Sequence, residues 1–278
     1  MKNDNLIVLV AGMSSRMRNS IPHTQISKTA AQVAMRQHKS LIPLGKQGKP
    51  LLFHLLGNAM RAGITTIYLI TSVDNDGFKK FISQYAAENE LQGLSFRYAV
   101  QHIPEGAKKP QGTADALLQC LEQYPQLRGE RFTVCNGDNL YSMQALLALR
   151  DPRISPHALI AYDRSGLAFT DEKITKFALL RITNEGFLSA IVEKPDRTQL
   201  DGFRDLDGKL RVSMNIFNFK GSDIYTYLKN CPVHPVRLEK ELPAAVRGLI
   251  RDQPKGMWCI PLSEHVPDLT SAEDISRF

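Results

Sequence analysis

Five consecutive apolar residues, Leu6-Ile-Val-Leu-Val10, run straight into Ala11-Gly12-Met13-Ser14-Ser15-Arg16, and this junction constrains the fold more than any other stretch. A strand that is apolar at every position, not at alternate ones, has to be covered on both faces, which places it inside an α/β sheet. The small residues after it, Ala11, Gly12, Ser14 and Ser15, let backbone N–H groups approach an anion, with Arg16 as counter-charge. Turns of this kind also serve as plain packing devices, so the junction alone leaves both readings open. Two better-known phosphate loops are absent: Gly45-Lys46 is followed by Gln47, which rules out G-x-x-x-x-G-K-[ST], and there is no G-x-G-x-x-G.

The chain of 278 residues is long enough to bury a full core without staples. Its four cysteines, Cys120, Cys135, Cys231 and Cys259, are widely spaced with no C-x-x-C, which suggests neither a disulfide framework nor a zinc site. A reducing, cytoplasmic setting is expected. No apolar run approaches the roughly 20 residues of a membrane helix, so no membrane partner is expected either. The net charge of +7 is unevenly placed: residues 1–73 hold nine Lys/Arg and a single acid, Asp4, while the rest balances 26 basic against 27 acidic residues. Such a field attracts any anion. A solvated basic face is one reading and nucleic-acid binding a second, though only Phe53 and Tyr68 are there to stack on bases; a polyphosphate needs the same charge in a smaller space.

Along the chain, the pattern predicts a helix over 51–62 ended by Gly63, a strand over 65–72, a helix over 78–87 and a strand over 95–100. Then come a helix from Gly112-Thr113, with Thr113 as N-cap, a strand over 132–135, a helix over 142–149 and a strand over 158–162. That alternation signals a doubly wound, mostly parallel sheet. Beyond Asp163, longer strands over 173–182, 187–192 and 211–219 read as a mixed lobe on the same sheet. Helices over 222–228 and 239–251 and a last strand over 257–261 follow. Asn136-Gly137-Asp138-Asn139 puts a carboxylate at a strand's end, although Asn-Gly is also a hairpin signal. Lys39 alone reads equally as a solvated loop lysine, Glu193-Lys194-Pro195 as an ordinary polar strand end, and Asp268 as a helix cap.

Together, and in this order, these pieces resemble the sugar-phosphate nucleotidyltransferases, over Leu6 to about Ile275. LVAGMSSRM, Ala11 to Arg16 within it, is similar to that family's nucleotide loop, and Lys39-x-Leu-x-Pro to its phosphate-lysine segment. Gln101 with Gly112-Thr113 corresponds to base and ribose contacts, Asp138 to the metal-binding Gly-Asp, and Asn139, Glu193, Lys194 and Asn215 to the substrate side. Asp268 stands where a second metal aspartate is supplied. The resemblance implies a Rossmann-like, GT-A-like domain over 1–278, with a nucleotide lobe to about residue 140 and a sugar-phosphate acceptor lobe over about 141–278. It implies Mg2+, a nucleoside triphosphate and a sugar 1-phosphate, and it leaves a homo-oligomer open.

The implied chemistry suits the composition. A phosphate monoester is already largely a dianion at neutral pH and needs no general base, which fits the lack of a Ser/His/Asp or Cys/His constellation. The protein has to position groups and neutralise charge: Arg16 and Lys39 on the triphosphate, Lys194 on the acceptor, Asp138 and Asp268 on the metal. Other readings are transfer to a non-sugar phosphate acceptor of phosphocholine or molybdopterin type, a metal-dependent glycosyltransferase, and a non-catalytic regulatory subunit of the same fold. Lys39 lies 23 positions after Arg16, a longer gap than usual in the family. The intervening Asn19 to His38 is expected to be a mobile basic flap, because Ile21, Ile26, Val33 and Met35 form no continuous helical stripe.

Overall fold

The computed structural model describes residues 3–24, 26, 28–107, 109–151, 155–193 and 197–278. The first half runs β1 (Asn5–Leu9), α1 (Ser15–Ser20), α2 (Lys28–Arg36), the short ribbon β2 (Pro43–Leu44) and β3 (Lys49–Pro50), α3 (Leu51–Arg61), β4 (Thr66–Thr71), α4 (Asp76–Ala87), β5 (Ser95–Val100) and α5 (Thr113–Gln123). The second runs β6 (Arg131–Asn136), α6 (Met143–Arg150), β7 (His157–Asp163), α7 (Asp171–Ile174), β8 (Ala178–Ile182), β9 (Leu188–Val192), β10 (Arg211–Lys220), α8 (Gly221–Lys229), α9 (Leu242–Asp252) and β11 (Met257–Leu262).

One nine-stranded sheet carries both halves, in the order β11-β7-β10-β6-β1-β4-β5, with β8 paired to β10 and β9 beyond it. The apolar run predicted as a central strand is one: β1 lies parallel between β4 and β6, and Leu6, Ile7 and Val8 are fully buried. Its side chains alternate between two cores. Leu6 and Val8 pack with the apolar faces of α3, α4 and α6. Ile7 faces the opposite layer, made by α5, α8 and α9.

The antiparallel strand β10 sits in the middle of this sheet. Along one edge it pairs with β7; along the other, Ile216–Lys220 pair with β6 and Arg211–Ser213 with β8. The pairing with β7 shifts register between Ser213 and Phe217, and Met214 and Asn215 pair with no strand among the described residues. Asn215 takes the left-handed conformation there, with φ 57°.

Three expectations need correction. The strand expected over 173–182 is β8 only from Ala178, and Lys173 belongs to the turn of helix α7. The helix expected from Glu239 begins at Leu242, with Pro243 in its first turn, where the missing N–H costs nothing. Thr113 does not cap its own helix: Gly112 holds that position, and the Thr113 hydroxyl accepts from the Leu242 N–H (2.9 Å), the first of α9.

The segment from Asn19 to His38 is better anchored than its composition suggests. Met17 and Ala34 are fully buried with Ile42, Leu44, Leu51, Leu269 and Ala272, and Ile21, Ile26 and Val33 pack against that cluster. The Ser20 hydroxyl also accepts from the Ala272 N–H (2.8 Å). Tertiary contacts with the last turn of the chain supply the burial that a lone amphipathic stripe lacked. Met35, 54% exposed, is the exception among the four.

Candidate functional site

In sequence, β1, β4 and β5 step outward along one side of the sheet, and the next strand of the main order, β6, returns to the other side of β1. Ligands of open α/β sheets bind outside the carboxyl ends of the strands where the winding reverses. Both expected segments lie there: residues 10–14 follow β1, and Asn136 ends β6 with residues 137–139 just beyond it. The hairpin reading of Asn136-Gly137 fails, because the Gly137 N–H donates to Leu9 O (3.0 Å) and a Cβ on it would lie 2.2 Å from Val10 Cγ1. This contact holds Asp138 beside the loop.

Two clefts open at this edge and share Arg16, Asn136, Asp138 and Thr270. The first, of about 440 Å³, is lined by Ala11, Gly12, Met13, Ser14, Ser15 and Arg16, together with Lys39, Gln101, Gly112 and Thr113. Every residue expected to hold a nucleotide therefore comes together in one place. Ser14 is left-handed (φ 51°), and its hydroxyl accepts from the Lys39 N–H at 3.3 Å, tying the loop to the lysine segment. A Cβ on Gly12 would meet nothing within 4 Å, so its exposed face is open to a ligand. At the far end Gln101 is buried, with its amide nitrogen donating to Gly112 O and to Asp115.

The second cleft, of about 610 Å³, contains Asn139, Asn215 and Asp268 with Asp138. Asn139 and Asp268 face each other in a short antiparallel bridge, with Asn139 Nδ2 donating to Asp268 Oδ1 (3.3 Å). The Tyr141 hydroxyl, fully buried, donates to Met214 O (2.6 Å) and holds the bulge of β10 against this edge. Glu193 lines neither cleft; its carboxylate is paired with Arg237 Nη2 at 2.7 Å. Lys194 lies outside the described residues.

The electrostatics centre on two carboxylates, each held by a lysine. Burial alone would push the Asp138 carboxyl up, but the charge and hydrogen bond of Lys39, with His38 behind it, hold it below the usual carboxylate range. Asp268 is displaced upward, first by burial and then by the neighbouring Asp138 charge, against the pull of Lys173. Lys173 Nζ bridges Asp268 (2.9 Å) and Asp274 (3.1 Å) and lies 4.6 Å from the centre of the Phe169 ring.

Two of these groups escaped the sequence reading. Lys173 sits where a continuous strand was expected, and its partners are about a hundred residues away. His38 lines the first cleft beside Lys39, and burial and the Lys39 charge push its pKa down to about 4. Its one signal was adjacency to Lys39. A further hollow of about 640 Å³, between α8 and α9, holds none of the expected site residues.

Comparison with known proteins agrees with this geometry. The family model described as nucleotidyl transferase matches residues 31–257. The glucose-1-phosphate adenylyltransferase small subunit, chloroplastic/amyloplastic, of Triticum aestivum is 25% identical over 169 residues, which is 59% of this chain. The alignment spans only 35% of that relative's length. Two solved structures share the fold at 16% identity, each covering 99% of this chain and 96% of the other. They are a UDP-glucose pyrophosphorylase complexed with UDP-glucose (TM-score 0.71) and an apo UDP-glucose pyrophosphorylase (TM-score 0.70). With the family model covering most of its length, the chain belongs to the nucleotidyl transferase family, of the sugar-phosphate type its motifs resemble.

Proposed function

We propose that this chain is an enzyme that joins a nucleoside triphosphate to a sugar 1-phosphate, giving a nucleoside-diphosphate sugar and pyrophosphate. The observation that supports it best is that the two clefts meet at Arg16 and Asp138. A triphosphate in the first cleft and a phosphorylated acceptor in the second would bring the acceptor oxygen to the α-phosphorus at that junction. The acceptor phosphate is its own nucleophile. The chain's task is then to hold two anions in line, which costs proximity and charge rather than proton transfer.

Arg16 reaches both clefts and has no ion-pair partner among the described residues, so it is free for phosphate. Lys39 is positioned for the triphosphate side and Lys173 for the acceptor side. The donor set suits magnesium, which usually takes one or two carboxylates and completes its shell with water and substrate phosphates. Asp138 and Asp268 offer oxygen alone, and the Asp138 charge raises the Asp268 carboxyl, which supports a cation between them once the lysines turn to phosphate. No group of three or more His, Cys, Asp or Glu gathers as a metal site among the described residues, so the phosphates would complete the shell. Such an ion would supply neutralisation of phosphate charge. No described helix is long and apolar enough to cross a membrane, and all four cysteines are free and buried, which supports a cytoplasmic setting.

The test is pyrophosphate release from each common triphosphate, with and without a panel of sugar 1-phosphates, at varied magnesium. Release that requires both magnesium and a phosphorylated sugar is expected. Triphosphate hydrolysis independent of acceptor, or transfer only to a non-sugar phosphate, would replace the proposal.

A further inference from the structure

The amide of Gln101 is fixed by a hydrogen-bonded ladder that runs along one face of α5. Strand β5 is the edge of the sheet, so its outer backbone groups need partners from elsewhere. The glutamines of α5 provide them. Gln123 accepts from Val100 N–H (2.9 Å) and donates to Val100 O (2.8 Å). One turn earlier, Gln119 accepts from His102 N–H (2.8 Å) and donates to His102 O (3.1 Å). One turn earlier again, the buried Asp115 accepts from the amide nitrogens of Gln119 and Gln101, both at 2.9 Å. Residues 115, 119 and 123 share a helix face, so the three rungs follow from the helical period.

The top rung has a chemical consequence. A carboxylate accepts and cannot donate, and the Gly112 carbonyl, 3.0 Å from Gln101 Nε2, is an acceptor as well. Both N–H groups of the Gln101 amide are thereby used, and the flipped amide would set oxygen against two oxygens. Gln101 lines the first cleft, and its Oε1 has no partner among the described residues.

We infer that Asp115 is a positioning residue for nucleotide choice: it locks Gln101 with its carbonyl oxygen toward the cleft, so that the site selects bases presenting an N–H donor there. This rests on the reading of the first cleft as the nucleotide site. The positions of Asp115 and Gln119 within the ladder, not contact with the base, carry the effect. An amide left free to turn offers donor or acceptor alike and loses its power to discriminate.

Calorimetric binding of ATP, UTP, dTTP, CTP and GTP to the full chain tests this without an acceptor. The wild type is expected to bind at least one of them tenfold or more tightly than another. Asp115→Ala, which leaves Gly112 O as the one acceptor holding the Gln101 amide, should narrow the spread of the five affinities by at least threefold. Asp115→Asn, whose side-chain oxygen still accepts from both amides, should keep the preference. Gln123→Ala, which breaks the lowest rung only, should keep it too. Uniform weakening of all five by Asp115→Ala with the ranking preserved would overturn the inference. In case that variant does not fold, the wild type should bind its preferred triphosphate at least tenfold more tightly than the same nucleotide N-methylated on its hydrogen-bonding edge; equal binding would overturn the inference as well. Failure of the wild type to bind any of the five overturns the nucleotide reading itself.

Discussion

Lys39 and Asp138, separated by 99 positions in sequence, form an ion pair where the two clefts meet. One is the expected phosphate cation and the other the expected metal ligand, and each occupies the other in the absence of substrate. Under the proposed function, metal and triphosphate would have to separate them, each released to its own partner. Asp138→Asn is expected to lower turnover by roughly 100-fold or more and, because it breaks the ion pair with Lys39, to lower the thermal midpoint while the chain still folds. Lys39→Ala should depress kcat if, as proposed, its charge acts on the departing pyrophosphate. Initial-rate kinetics at saturating magnesium, with thermal melts, decide both, and near-normal turnover in Asp138→Asn would remove it from the site.

Lys173 is expected to be structurally costly to remove only when divalent cation is absent. Its ammonium balances Asp268 and Asp274, and Lys173→Met leaves two largely buried carboxylates without it. Removing one partner of a buried pair costs about 3–5 kcal/mol. A magnesium ion at Asp268 should restore much of that. Urea unfolding of Lys173→Met with chelator and with magnesium is the measurement; an identical loss in both would separate Asp268 from the metal.

Acid should weaken the fold between pH 6.5 and 4, and two histidines account for much of it. Burial pushes both His38 and His157 down from 6.5 to about 4. In that window the unfolded chain binds the protons that the folded chain refuses, so stability rises with pH and is lost as pH falls. His157 is fully buried; among the described residues its Nε2 has no hydrogen-bond partner, though it lies 4.0 Å from Asp223 Oδ2, and its ring lies 5.7 Å from that of Phe219. His157→Phe should flatten the slope by close to one proton, with His38 and the more weakly lowered His54 and His265 keeping the remainder. Unfolding free energies from pH 4.5 to 7 report it.

Asn215 tests the bulge of β10. Its φ of 57° is open to Asn and Gly and hostile to branched side chains. Asn215→Val should cost about 1–3 kcal/mol and raise the acceptor KM. Asn215→Gly should keep the fold. If chemical denaturation gave equal stabilities for the two, the left-handed conformation would not be what places this residue.

The sequence made the winding legible because uninterrupted apolar runs admit few placements: Leu6 to Val10 had to be central, and the strand ends after it had to carry Gly12 and Asp138. Gln101, Gly112 and Thr113 converge with them as the resemblance implied, and Asp268 and Asn215 join Asp138 at the second cleft. What stayed hidden depended on distant partners. Lys173 reads as strand from its neighbours, yet Asp268, Asp274 and Phe169 decide its role. Ile21, Ile26 and Val33 lack a helical period because they bury against Met17 and the chain's last turn, not against one another. Thr113 looked like a cap for its own helix, and only the packing of α9 shows which N–H it serves.

Strand β10 also has a temporal consequence. As the chain leaves the ribosome, β1, β4, β5 and β6 can assemble as a parallel four-stranded unit, since each finds its neighbour among them. Strand β7 is made next but touches that unit only through β10, some fifty residues later, and β11 pairs with β7. The second half of the sheet therefore waits for a single antiparallel strand to be inserted between two that are already synthesised. Until then β6 presents an open apolar edge, and nascent chains stalled before residue 211 should be protease-resistant over β1 to β6 and cleaved across β7.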